Sequence, residues 1–242
     1  MIIGVDEAGR GPALGPLVVA GLATPDQESL SLIGVRDSKQ LSAVKREELF
    51  LLLTGRYPYF ILEVPAGSID AARAFMTMNR LEVLCFSSII ASMVSGRNIS
   101  HPELKVKVRS SHGGIPVSIG DLILDAADVN EVRFGVDILR ELTSMIGARD
   151  VEVVSRHKAD RDHPVVGAAS ILAKVTRDRR IEEIRRSIGE DIGSGYPSDP
   201  RTREFLERWV GRKGTLPDFA RSSWDTCSRL MKKSGQRTLM EY

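Results

Sequence analysis

Apolar positions follow two rhythms along the 242 residues. Short apolar runs bounded by Gly, Pro or Asp predict strands at Met1–Val5, Leu17–Ala23, Phe60–Val64, Asp121–Leu124 and Val151–Ser155. The Gly- and Pro-rich stretch between the first two reads as a hairpin-like connection. Spacings of three and four predict helices elsewhere. Ser42–Leu53 has Ser42 as its N-cap. Asp70–Ser95 reads as one long core helix, with Phe75, Met78, Leu81, Cys85, Ile89 and Met93 in its stripe. Asn130–Ile146 is amphipathic, and Val165–Ile188 begins small and apolar and ends charged. Gly96–Gly120 breaks the pattern with Gly, Pro, His and an alternating KVKVR, a polar excursion of β-ribbon character. After Gly193 the chain turns helical and polar. Five strands alternating with helices, then helices alone, predict a mixed α/β core over 1–190 and a C-terminal helical region over 191–242.

Composition narrows the class. Hydrophobic residues make up 42% and charged residues 27%, enough for a sizeable core and ordinary for a soluble protein. A formal charge of +2 excludes a histone-like binder but permits a local basic surface. The two cysteines, Cys85 and Cys227, form neither a zinc pattern nor a disulfide framework, which suits a reducing cytosol. No apolar run is long enough to span a membrane, and no basic-then-apolar leader opens the chain, so a cytoplasmic protein is expected.

Carboxylates mark the ends of apolar segments. Asp6 and Glu7 follow IIGV, Asp125 follows LIL, and Asp160 lies a few residues past VEVVS. Strand ends of one sheet converge in space, and clustered carboxylates resist ionisation together. A divalent cation resolves that conflict, and oxygen ligands with open positions describe a magnesium or manganese site. Two such ions can clamp both oxygens of a phosphodiester displacement. Taken singly, each residue also suits the plainer role of capping backbone N–H groups at a turn. In Gly9-Arg10-Gly11, glycines allow close approach of a ligand, and N–H groups with an arginine favour phosphate or sugar oxygens.

At these residues the chain resembles the type 2 ribonucleases H, the ribonuclease HII family, in its archaeal branch. DEAGRGP at 6–12 carries the resemblance, with DSK (37–39), MNRLE (78–82), DAADVN (125–130), HKADRDHPVVGAASILAKVTRD (157–178), GSGYPSDP (193–200) and RSSW (221–224) in the same order. The resemblance implies a ribonuclease H-like fold, a central mixed sheet flanked by helices. It implies cleavage of RNA in RNA–DNA hybrids and on the 5′ side of single ribonucleotides in duplex DNA, leaving 3′-hydroxyl and 5′-phosphate ends. It assigns catalysis and metal binding (Mg²⁺ or Mn²⁺, two ions) to Asp6, Glu7, Asp125 and Asp160. Gly9, Arg10 and Gly11 would read the ribose 2′-hydroxyl, largely through backbone groups, and Tyr196 would pack on the neighbouring sugar. Ser38 and Lys39 would contact phosphate. Asp128 reads as a helix N-cap. His157 is either structural or a group orienting Asp160. In one departure, Arg156 stands where the family usually has Glu, which either weakens metal affinity or adds a phosphate contact. The 96–120 excursion is then either an exposed ribbon or an extra duplex contact.

Partners follow from charge. The 156–186 segment has nine basic residues against five acidic, more often a solvated face than a binding stripe. The tail carries Arg229, Lys232, Lys233 and Arg237 with no acid before Glu241. Aromatics are 5%, which favours backbone contacts to a duplex over single-strand stacking. Gln236, Leu239 and Tyr242 fall at the spacing of a sliding-clamp box; the bland alternative is a frayed tail. A monomer is expected. Two other readings are a catalytically silent hybrid-binding module and a DNA nuclease or strand-transfer enzyme of the same broad fold. The four carboxylates oppose the first, and the GRG turn with Tyr196 opposes the second.

Overall fold

The computed structural model describes residues 1–35, 41–104, 109–113, 116–149 and 151–240, with side chains left undescribed at Arg109 and beyond 235. Its centre is a six-stranded sheet. The strands are β1 (Ile2–Ala8), β2 (Leu17–Thr24), β3 (Tyr59–Val64), β4 (Arg109–Gly113), β5 (Asp121–Asp125) and β6 (Glu152–Arg156), in the order β4-β3-β2-β1-β5-β6. β1 to β4 pair antiparallel in turn, whereas β5 and β6 run parallel to β1. The expected mixed sheet is present, with one strand more than the five anticipated. The extra strand is β4, whose sequence RSSHG lacks the β-branched and aromatic residues that signal a strand. It pairs along β3, where the His112 ring stacks on Phe60 at 5.5 Å. The KVKV part of that excursion lies outside the described residues.

Helices α1 (Glu28–Leu32), α2 (Ala43–Arg56), α3 (Ala66–Arg73), α4 (Met78–Ser95), α5 (Glu131–Ile146), α6 (Ala159–Asp162), α7 (Pro164–Ile188), α8 (Pro200–Lys213) and α9 (Asp225–Met240) complete the chain. Ser42 caps α2 as expected, accepting the Lys45 N–H at 3.2 Å. The single helix expected over Asp70–Ser95 is two, meeting at 119°. Thr77 explains the break: its side chain accepts the Arg80 N–H and starts α4 afresh. Phe75, placed in the core stripe by its spacing, falls in the junction and is exposed.

Each sheet face has its own core. Ile3, Val5, Val19, Leu122 and Leu124 face α4 and α5, where Leu81, Cys85, Phe86, Ile89 and Phe134 are buried. Val18, Ala20, Leu22, Ile61 and Ile123 face α7 and α2, against Val165, Ile171, Leu172, Leu49 and Leu53. Each fully buried Leu or Ile contributes about 1.5–3 kcal/mol. α7 lies so close to β1 that a Cβ on Gly4 would stand 2.5 Å from the Val165 carbonyl carbon. A third cluster joins Ala13 and Leu14 of the β1–β2 connection to Phe205, Leu206 and Cys227 of α8 and α9.

Candidate active site

β1 sits in mid-sheet and delivers the first two carboxylates while still paired to β2, with Asp6 opposite Ala20 and Glu7 opposite Val19. The strand thus runs three residues beyond the Val5 end expected from the apolar run. Successive side chains alternate faces. Asp6 accordingly meets Ser170 and Lys174 of α7, while Glu7 meets Glu82 of α4. Val5 pairs with Leu124, so Asp125, the next residue of β5, comes beside Asp6. Asp160 enters from α6, buried, with Lys174 Nζ 3.8 Å from Oδ2. The turn into α6 is tied to Asp125, whose Oδ1 accepts the Ala159 N–H at 2.9 Å. All four carboxylates line one cleft of about 470 Å³, together with Gly9, Arg10, Gly11 and Tyr196.

Burial and mutual repulsion dominate the electrostatics at Asp6 and Glu7. Burial, then Glu7 and Asp125, raises the Asp6 pKa well above the ordinary carboxylate range. Burial, then Glu82 and Asp125, raises Glu7 to about 8, against the pull of Arg10. Glu7 Oε2 and Asp160 Oδ1 are buried with no hydrogen-bond partner. Mutually repelling hard oxygen donors with open lone pairs fit a divalent cation of the magnesium or manganese kind. Among the described residues no three of these groups already close into a metal cage. They form a wall on which water and a phosphate oxygen would complete the coordination.

The Gly9–Gly11 turn is held from behind. Gly9 takes φ +93°, and a Cβ there would meet the Pro16 carbonyl at 2.6 Å. The Arg10 guanidinium is held by α4. It pairs with the buried Glu82 and donates to Asn79 Oδ1 at 2.6 Å. Sequence reading gave Arg221 no role, yet it is the buckle of this turn. Fully buried, it donates to the carbonyls of Gly9 (2.6 Å), Arg10 (3.0 Å) and Gly15 (3.1 Å). Its guanidinium lies 4.8 Å from the Trp224 ring centroid, and the Trp224 indole donates to the Gly11 carbonyl at 3.1 Å. RSSW is visible as a motif, but its partners lie over two hundred residues upstream and leave no local signal.

The loop bearing Tyr196 is bonded to the same connection, since Ala13 and Leu14 donate to the Gly195 carbonyl at 2.8 and 3.2 Å. Arg177 of α7 lies 5.2 Å from the Tyr196 ring centroid and donates to Ser194. Asp128 is not the cap expected of it. Asn130 caps α5, accepting the Arg133 N–H, whereas Asp128 accepts the Asn130 N–H and pairs with Arg133. His157 takes the structural alternative. Its backbone N–H donates to Glu131 at 2.6 Å, and its ring nitrogens face the Ala126 and Val129 carbonyls. Ser38 and Lys39 lie outside the described residues.

A family model described as ribonuclease HII matches residues 3–227. The chain belongs to the ribonuclease HII family. It is 39% identical to the ribonuclease HII of Methanosarcina barkeri over 98% of this chain and 99% of that one. Ribonuclease H2 of Pyrococcus horikoshii superposes with a TM-score of 0.79 at 36% identity, covering 97% of this chain and 99% of that one. Ribonuclease HII of Archaeoglobus fulgidus, solved in complex with PCNA, gives 0.76 at 38% identity over 95% and 96%. These relatives are archaeal, as the motifs implied. Membership makes the chain a ribonuclease H, a metal-dependent hydrolase that cleaves the RNA strand of RNA–DNA hybrids, on a ribonuclease H-like fold.

Proposed function

We propose that this endonuclease also cuts on the 5′ side of a single ribonucleotide in duplex DNA, leaving 3′-hydroxyl and 5′-phosphate ends. The observation that carries the reading is the shared cleft, with four carboxylates on one wall and the buckled Gly9–Gly11 turn on another. Asp6, Glu7, Asp125 and Asp160 would hold Mg²⁺ or Mn²⁺, two ions with substrate bound. Such ions activate a water and stabilise the leaving 3′-oxygen. The protein's own part is orientation. Glu82 and Asn79 occupy the Arg10 side chain, so the turn meets substrate with backbone groups. Arg221 and Trp224 engage the carbonyls of Gly9, Arg10 and Gly11, which leaves N–H groups for a ribose 2′-hydroxyl, the feature that separates RNA from DNA. Tyr196, 40% exposed and close to Gly11, stands where the adjoining sugar would pack.

Gln236, Leu239 and Tyr242 would add a sliding-clamp contact. The complex formed by the Archaeoglobus relative supports it. The α9 backbone runs through the first two, and Tyr242 lies outside the described residues.

The test is cleavage of three duplexes: all DNA, one embedded ribonucleotide, and a full hybrid, with Mg²⁺ or Mn²⁺, beside Asp6→Asn. One cut 5′ of the ribonucleotide, lost in the variant and absent from all-DNA duplex, is the expected result. Cleavage of the full hybrid alone would sink the single-ribonucleotide reading.

A further inference from the structure

Of the nine basic residues in 156–186, the fold engages seven. Arg179 pairs with Glu47, Arg180 with Glu63 and Glu183, Arg185 and Arg186 with Glu182, and Lys174 with Asp160. Arg177 lies against Tyr196 and near Asp178, and Arg161 is also engaged. Arg156 and Lys158 remain, both exposed and neither ion-paired to a described residue.

Both are placed by the site. Arg156 ends β6 in register with Asp125, and its carbonyl accepts the Ala126 N–H at 2.9 Å. Neighbouring strands lie about 5 Å apart, so Arg156 is rooted one strand over from Asp125, just outside the residues that line the cleft. Lys158 has φ +59°, the only non-glycine in the left-handed region among the described residues. Gly or Asn would make this turn at less cost. A lysine there adds a cation at the rim, one residue before the N–H that holds Asp125 and two before Asp160. In the sheet order β6 lies beyond β5, away from β2 and the Gly9–Gly11 turn. The carboxylates therefore lie between that turn and these two cations.

An exposed guanidinium and ammonium beside a phosphodiesterase cleft match the charge and geometry of backbone phosphates. We propose that Arg156 and Lys158 form a phosphate-binding ridge that grips the nucleic-acid backbone across the cleft from the Gly9–Gly11 turn. The inference rests on the proposed cleavage at single ribonucleotides and adds a second anchoring side to it. Such contacts position the duplex and carry no base sequence.

The test is binding of a labelled duplex containing one ribonucleotide, in EDTA, between 50 and 200 mM salt. Wild type is compared with Arg156→Ala, with Lys158→Asn, which keeps the left-handed backbone, and with the double variant. Each lost contact lowers the slope of log K against log salt by about 0.9, and the double variant lowers it by about 1.8. Affinity for all-DNA duplex falls by the same factor, and Arg156→Glu weakens binding further than Arg156→Ala. Unchanged slopes in folded variants, with wild type binding normally, overturn the ridge alone. A wild type that does not bind this duplex in EDTA, and does not cut it when Mg²⁺ is added in excess, overturns the single-ribonucleotide reading instead.

Discussion

Arg221→Lys keeps a buried charge but loses the planar fork that reaches three carbonyls at once. We expect a folded protein with kcat/KM at least about 10-fold lower on a single-ribonucleotide duplex, because small misplacements of positioning groups are costly. Arg221→Ala strands those carbonyls, at about 1–3 kcal/mol for each left unsatisfied, so its thermal midpoint falls by many degrees. Wild-type efficiency in Arg221→Lys would remove the buckle from the mechanism. A second expectation concerns protons. Folding lifts Glu7 from 4.5 to about 8, chiefly through burial. Between those values the folded metal-free protein keeps a proton that the unfolded chain has released. Its contribution to stability is complete below about pH 4.5 and is lost as pH rises through 8. Thermal melts in EDTA should therefore drop from pH 5 to pH 8, with a flatter curve for Glu7→Gln, and Mg²⁺ should restore more at pH 8. Asp6, Glu7 and Asp125 were visible as acids ending apolar runs, and the family resemblance, not the local pattern, singled out Asp160, which lies in α6 beyond its strand. Arg221 and Glu82 were not legible, because a side chain's value as a buttress depends on what lies far away in sequence.

At the scale of elements, the close contact of α7 with β1 carries the tightest constraint. Gly4→Ala places a methyl against the Val165 carbonyl and should cost about 1–3 kcal/mol as α7 shifts. Because α7 also carries Ser170, Lys174 and Arg177 to the cleft, we expect activity to fall with the melting temperature. A melt unchanged from wild type would refute the constraint. Periodicity placed α2, α5 and α7 within a few residues and found five of the six strands. It missed the break before α4 because Phe75 continues the apolar spacing through a junction that Thr77 dictates. It read β-ribbon character into the 96–120 stretch that holds β4 but did not count a sixth strand of the sheet, because an edge strand with a polar sequence takes its conformation from β3 rather than from its own residues.

At the scale of the molecule, helices α8 and α9 brace the connection that carries the Gly9–Gly11 turn. They pack on Ala13 and Leu14, and the segment between them supplies Arg221 and Trp224 to the Gly9–Gly11 turn. A chain cut at 190 retains all four carboxylates, yet we expect no cleavage of hybrid or single-ribonucleotide duplex. A chain cut at 235 should cleave as wild type on free duplex and lose only clamp binding, measured by titration with the sliding clamp.

The bonds between Arg221 and the Gly9–Gly15 stretch join residues up to 212 positions apart. On the ribosome, therefore, Asp6 and Glu7 are made more than two hundred residues before the clasp that shapes their neighbouring turn. At roughly 5–20 residues per second the interval is about 10–40 s. A nascent chain tethered near RNA carries its acidic pair throughout that time without a finished site. Closing the turn around its acidic pair is thus a post-translocation event, set by when Arg221 leaves the ribosome rather than by when Asp6 and Glu7 do.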